Sequence, residues 1–134
     1  MTTLRLRKTR QKDAIRTAFE QAARPLSPDE ALSAAQGIVQ GLSVATVYRN
    51  INSLVADRWL STVEVPGEPS RYEVAGKGHH HHFHCRHCGR IYDLPGCVLP
   101  SDIHAVPQGF ELTGHELFLY GLCAPCTVLA TPPL

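Results

Sequence analysis

Apolar residues in the first half of the chain recur at helical spacing, and the second half shifts to strands. Ala14, Ile15, Ala18, Phe19 and Ala22 fall on one helical face. Ser27-Pro28-Asp29-Glu30 starts a second helix in three ways: Ser27 can cap it, Pro28 fits its first turn, and Glu30 can close a capping box. This helix is predicted to run to about Gln36, with Gly37 and Gly41 breaking the chain after it. Ser43 caps a third helix, on which Val44, Val47, Ile51, Leu54 and Val55 form one apolar stripe. Residues 60–65 and 70–74 then read as strands joined by the turn Pro66-Gly67-Glu68-Pro69. Three short helices followed by a hairpin are the plan of a winged helix-turn-helix. Off the stripe of its third helix lie Thr46, Tyr48, Arg49, Asn50, Asn52 and Ser53, side chains suited to bases and phosphates in a major groove.

Ala75-Gly76-Lys77-Gly78 is a short flexible stretch between differently composed halves. Beyond it, side chains on an extended strand alternate between faces. His80, His82 and His84 would share one face and His79 and His81 the other, so one histidine run can feed two metal sites. A long final strand is predicted over residues 110–120.

The net charge of +1 says little, but its distribution is uneven. Arg5, Arg7, Lys8, Arg10, Lys12, Arg16 and Arg24 precede residue 25, against Asp13 and Glu20. A basic front and a metal-rich back suggest two jobs. No run is long and apolar enough to span a membrane, and no apolar stretch follows the basic N-terminus as in a signal peptide, so a cytoplasmic location is expected.

Four of the five cysteines form two Cys-x-x-Cys pairs, Cys85/Cys88 and Cys123/Cys126. In a cytosolic chain such pairs read as zinc ligands rather than disulfides, and four thiolates on two tight turns match a closed tetrahedral zinc. The metal would clamp the end of the final strand onto the strand holding Cys85. Cys97 lies outside both pairs and is expected to be a buried free thiol, with an extra metal ligand or a redox thiol as the lesser readings.

The chain resembles the ferric uptake regulator family of bacterial metal-dependent repressors. The resemblance rests on Ser43-Val44-Ala45-Thr46-Val47-Tyr48-Arg49, on His79-His80-His81-His82 just before Cys85-x-x-Cys88-Gly89, on His115-Glu116-Leu117-Phe118-Leu119-Tyr120-Gly121, and on Cys123-x-x-Cys126. It implies an α+β protein: an N-terminal winged helix-turn-helix over residues 1–75, a hinge at 76–78, and a small α/β dimerisation domain over 79–134 with the four-cysteine zinc site. It further implies a homodimer that, when metallated, binds double-stranded palindromic operator DNA as a repressor, through Arg10, Ala45, Thr46, Tyr48 and Arg49. The basic N-terminal arm would reach towards the minor groove. A regulatory site would use Glu73, His80, His82 and Asp93, and a possible second site His79, His81 and His115. The family's histidine ahead of the second helix has no counterpart, since Pro25 stands there. The second site's usual glutamate would fall in a region where Asp102 or His104 could substitute.

Zinc would be structural, and iron(II), zinc(II) or manganese(II) regulatory, with iron or zinc uptake and homeostasis genes as targets. Asp93 resembles the peroxide-sensing members of the family, which gives a second reading. A zinc-stabilised protein-interaction module is a third, from another class. An enzyme is not expected, nor a small organic substrate: His115-Glu116 lacks the second histidine of HExxH, and Cys123-x-x-Cys126 lacks the His-x-Glu partner of the deaminases.

Overall fold

The structure, a computed structural model, describes residues 2–97, 99 and 106–130, without the side chains of Thr2 and Ala130. The chain forms two compact units that divide between Gly76 and Lys77, and each is described by itself.

The first unit is built from α1 (Thr2–Ala22), α2 (Pro28–Gln36), α3 (Val44–Ala56), β1 (Leu60–Val63) and β2 (Arg71–Val74). The basic N-terminus is no separate arm: it is the exposed first half of α1, because residues such as Leu, Arg, Lys and Gln favour helix and no Gly or Pro interrupts them. Ser27 caps α2 through the Glu30 N–H at 3.1 Å, while Glu30 accepts from the Ser27 N–H at 3.0 Å, completing the capping box. Ser43 caps α3 through the Thr46 N–H.

The core packs Ile15, Ala18 and Phe19 of α1 with Ala31 and Ala35 of α2, and with Val47, Ile51 and Leu54 of α3. Each fully buried large side chain among them contributes roughly 1.5–3 kcal/mol. Val44 departs from the expected stripe and is exposed, because it sits at the stripe's edge in the first turn. β1 and β2 pair antiparallel, with Leu60 opposite Val74. Leu26 adds a bridge to Tyr72 through two backbone hydrogen bonds of 2.8 and 2.9 Å, which tethers the start of α2 to the hairpin. Glu30 joins the same region electrostatically, 2.9 Å from Arg24 and 3.1 Å from Arg71.

The second unit holds β3 (His80–Cys85), β4 (Ile91–Pro95), β5 (Phe118–Gly121) and α4 (Ala124–Ala130). Its sheet runs β4-β3-β5, with β3 antiparallel to β4 and parallel to β5. The final strand is shorter than expected. A strand needs a partner for its backbone, and pairing with β3 begins only where His82 meets Phe118, so residues 110–117 stay outside the sheet.

Candidate metal centres

Three groups of ligating side chains arise from the local geometry of β3. At its end, Cys85 leads into a tight turn closed by Gly89, whose φ of 78° favours glycine. Cys88 lies in that turn, Cys123 just precedes α4, and Cys126 lies in the first turn of α4. The backbone brings all four together as free thiols, three buried and Cys88 exposed. The Sγ atoms of Cys88 and Cys123 are 3.8 Å apart. A tetrahedron with zinc–sulfur bonds of ~2.3 Å has an edge of about 3.8 Å, so the spacing fits a shared zinc. Burial alone would push the Cys85 thiol up, but backbone N–H groups from Cys123, Cys88 and His87 hold it at about 5, ready as a thiolate. Burial instead raises Cys126 to about 12, aided by the neighbouring cysteines. A bound cation would relieve that repulsion and draw off the proton.

The second group lies on one face of β3. His82 faces Asp93 across the β3–β4 ladder. Asp93 Oδ1 stands 3.4 Å from His82 Nε2 and 3.7 Å from His80 Nε2, with the two imidazoles edge to face at 4.8 Å. The Lys77 ammonium donates to the other oxygen of Asp93, so this carboxylate already answers to a cation. Two imidazoles and a carboxylate are donors that suit iron(II), manganese(II) or zinc(II). Glu73 belongs to the first unit, where it is buried on β2 opposite Ser61. Pro25 is buried and offers no ligating side-chain atom.

The third group occupies the opposite face. His81 is buried, and its ring packs with those of His79 and His115 at 4.6 and 5.0 Å. Burial, then the neighbouring His79 and His115, lower the His81 pKa and favour the neutral, ligating form. His115 comes from the irregular stretch before β5, and its Nε2 lies 3.1 Å from His79 Nε2 and 3.2 Å from His81 Nε2. Cys97 joins them and is exposed, against the expectation of a buried thiol. Its Sγ is 3.2 Å from His81 Nε2 and 3.3 Å from His115 Nε2. The strand register carries the signal for this: His80 pairs with Pro95, which brings residues just past β4 alongside His79. Asp102 and His104 lie outside the described residues.

In the first unit, Ala45, Tyr48 and Arg49 are exposed on α3, and Thr46 is half-buried at its start. Arg49 donates to the Thr46 hydroxyl at 3.2 Å and Asn50 to the Thr46 carbonyl at 2.9 Å. Lys8 and Gln11 of α1 line a shallow cleft of about 250 Å³ with Thr46, Arg49 and Asn50. Arg10, also exposed, borders a neighbouring cleft with Arg7 and Gln40. Lys8 of α1 therefore stands beside the polar face of α3. Among the described residues no helix is long and apolar enough to cross a membrane.

Comparison with known proteins gives a consistent result. The model of the ferric uptake regulator family matches residues 3–120. The ferric uptake regulation protein of Campylobacter jejuni is 34% identical over 87 residues, 63% of this chain and 55% of that protein. The match thus spans little more than half the length of that curated relative. The peroxide operon regulator of Bacillus subtilis is 28% identical over 124 residues, 91% of this chain and 85% of its own. The solved structure of the Helicobacter pylori ferric uptake regulator, described as revealing three functional metal binding sites, aligns with a TM-score of 0.61. It is 25% identical, with 87% of this chain and 79% of that chain covered.

Proposed function

Because the chain belongs to the ferric uptake regulator family, we propose that it is a metal-responsive transcriptional repressor. It binds palindromic double-stranded operators as a metallated homodimer and controls iron or zinc uptake and homeostasis genes. The observation that carries this reading is the gathering of His80 and His82, just past the hinge sequence, with Asp93 across the sheet, in a protein whose α3 presents a polar face with Lys8 beside it. The four cysteines would hold structural zinc, which supplies folding energy rather than a signal.

His80, His82 and Asp93 would take the regulatory iron(II), zinc(II) or manganese(II), with Glu73 contributed from the strand before the hinge. Lys77 would have to release Asp93 when the ion arrives. A dimeric reader must set its two helices about one helical turn of DNA apart, or a multiple of it, and the ion would favour that spacing. Metal can raise DNA affinity only by its differential affinity for the DNA-competent state, each tenfold corresponding to about 1.4 kcal/mol. On α3 and α1, Ala45, Thr46, Tyr48, Arg49 and Arg10 would meet bases and phosphates. A peroxide-sensing variant of the same reading is supported by Asp93 and by the similarity to the Bacillus subtilis regulator.

The experiment is anaerobic selection of duplexes from a random pool by protein that retains structural zinc, with iron(II), manganese(II) or zinc(II) added in turn. An inverted repeat enriched with one metal and lost on chelating it, with affinity falling steeply as salt rises, is the expected result. No enrichment with any of the three would overturn the repressor reading.

A further inference from the structure

We propose that Cys97 completes the site of His79, His81 and His115 as its fourth donor, a thiolate that closes it around zinc(II) and sets the choice of metal. One imidazole Nε2 offers either a proton or a lone pair, and so satisfies one good hydrogen bond. Here the His115 Nε2 has three neighbours at 3.1–3.3 Å: His79 Nε2, His81 Nε2 and Cys97 Sγ. Hydrogen bonding accounts for one of them, whereas a common cation accounts for all three. Donors ~2.0–2.3 Å from one zinc at tetrahedral angles stand about 3.3–3.6 Å apart, close to what is found.

The site is also built rather than incidental. His81 is 3% exposed and its ring is directed into the cluster from the sheet, where His79 of the same run, Cys97 from beyond β4 and His115 from ahead of β5 close over it. Three imidazoles and one thiolate fill four positions, leaving none open for substrate. The thiolate makes the site softer than the imidazole and carboxylate set of His80, His82 and Asp93. It therefore favours zinc over manganese(II), which prefers oxygen ligands. One strand thus presents two donor sets of different hardness on its two faces. The inference stands apart from the repressor reading, because it concerns metal capture alone.

Cys97 is the one cysteine outside the four-cysteine cluster, so its alkylation can be followed at a single peptide by mass spectrometry. The full-length protein, reduced and with its four-cysteine zinc in place, is treated with iodoacetamide with and without added zinc chloride. Zinc is expected to slow modification of Cys97 by at least about tenfold, while manganese(II) chloride at the same concentration leaves the rate unchanged. His115→Ala, a change in an irregular stretch outside the sheet, is expected to abolish the protection. Cobalt(II) added to the same protein should give a thiolate charge-transfer band that Cys97→Ser removes. Equal alkylation rates with and without zinc, or a cobalt band unchanged in Cys97→Ser, would overturn the proposal. Operator binding is not read in either measurement, so its failure would be seen separately.

Discussion

The two units solve the problem of burial with different materials. The first has a hydrocarbon core, in which Ile15, Phe19, Leu26, Ile51 and Leu54 are wholly buried and three helices cover one another. In the second, among the described residues, Ile91 is the only fully buried aliphatic side chain, and Cys85, Cys123 and Cys126 occupy the place of a core with Tyr92 against them. A unit of that size buries too little apolar surface to hold its fold comfortably, and such domains commonly depend on metal or crosslinks. The contrast teaches that metal would have two physical meanings in one short stretch of chain. At the cysteines it would replace packing. At His80 and His82 it would meet half-buried donors that already have a fold around them.

The sharpest way to break this comparison is to remove the sulfur core. Cys85→Ser is expected to release the zinc bound by the four cysteines and unfold the second unit, since structural zinc in small domains carries an apparent ~10–16 kcal/mol. The helical signal of the first unit should survive. Zinc content by mass spectrometry and circular dichroism check this, and full zinc retention with an unchanged melt would contradict it. Ile51→Ala makes the reciprocal change. It should cost the first unit about 2–5 kcal/mol through the cavity it leaves, read as a lower denaturation midpoint with zinc content unaltered.

A smaller effect is expected from His82→Ala. It should leave both folds and the structural zinc intact while lowering the metal-induced gain in operator affinity, a coupling of about 5–150-fold in typical cases. Undiminished metal dependence in binding titrations would exclude His82 from the regulatory site. The smallest effect concerns Glu30. Burial would raise its pKa, but the Ser27 N–H and the guanidinium groups of Arg24 and Arg71 more than offset this and hold it below its ordinary value. A lowered carboxylate pKa adds stability above the usual value of 4.5, and that contribution is lost as pH falls through the folded value. Glu30→Gln should therefore cost about 1 kcal/mol near neutrality, discounted for partial exposure. The cost should shrink as pH falls below 4.5, as thermal melts on either side of that value would show.

Much of the first unit was legible in the sequence because its signals are local. Ser27, Pro28 and Glu30 announce the start of α2 by chemistry contained within four residues, and the stripe from Val47 to Leu54 needs no partner to be recognised. What escaped was non-local. The Leu26–Tyr72 bridge joins residues far apart in sequence, and the length of β5 depends on where β3 offers it a partner. The same limit applies to the candidate sites. The paired cysteines declare themselves by spacing, whereas Cys97 carries no motif and meets His81 only once the β3–β4 register is known. Lys77 looked like a hinge residue, and its pairing with Asp93 likewise depends on that folded geometry.

The repeated letter in β3 has a last consequence. Three consecutive histidines, with a fourth just ahead of the strand, are nearly blind to phase: slide the strand by one residue, and both faces would still present imidazoles. Yet a one-residue slip turns every side chain to the opposite face. The punctuation that fixes the frame must therefore come from the letters that differ. Phe83 supplies one mark, its ring lying 3.1 Å from where a Cβ on Gly121 would stand, so the neighbouring strand accepts it only where glycine leaves room. Cys85 supplies the other, buried and tied to the turn beyond it. The histidines spell two messages, and a phenylalanine and a cysteine decide where each word begins.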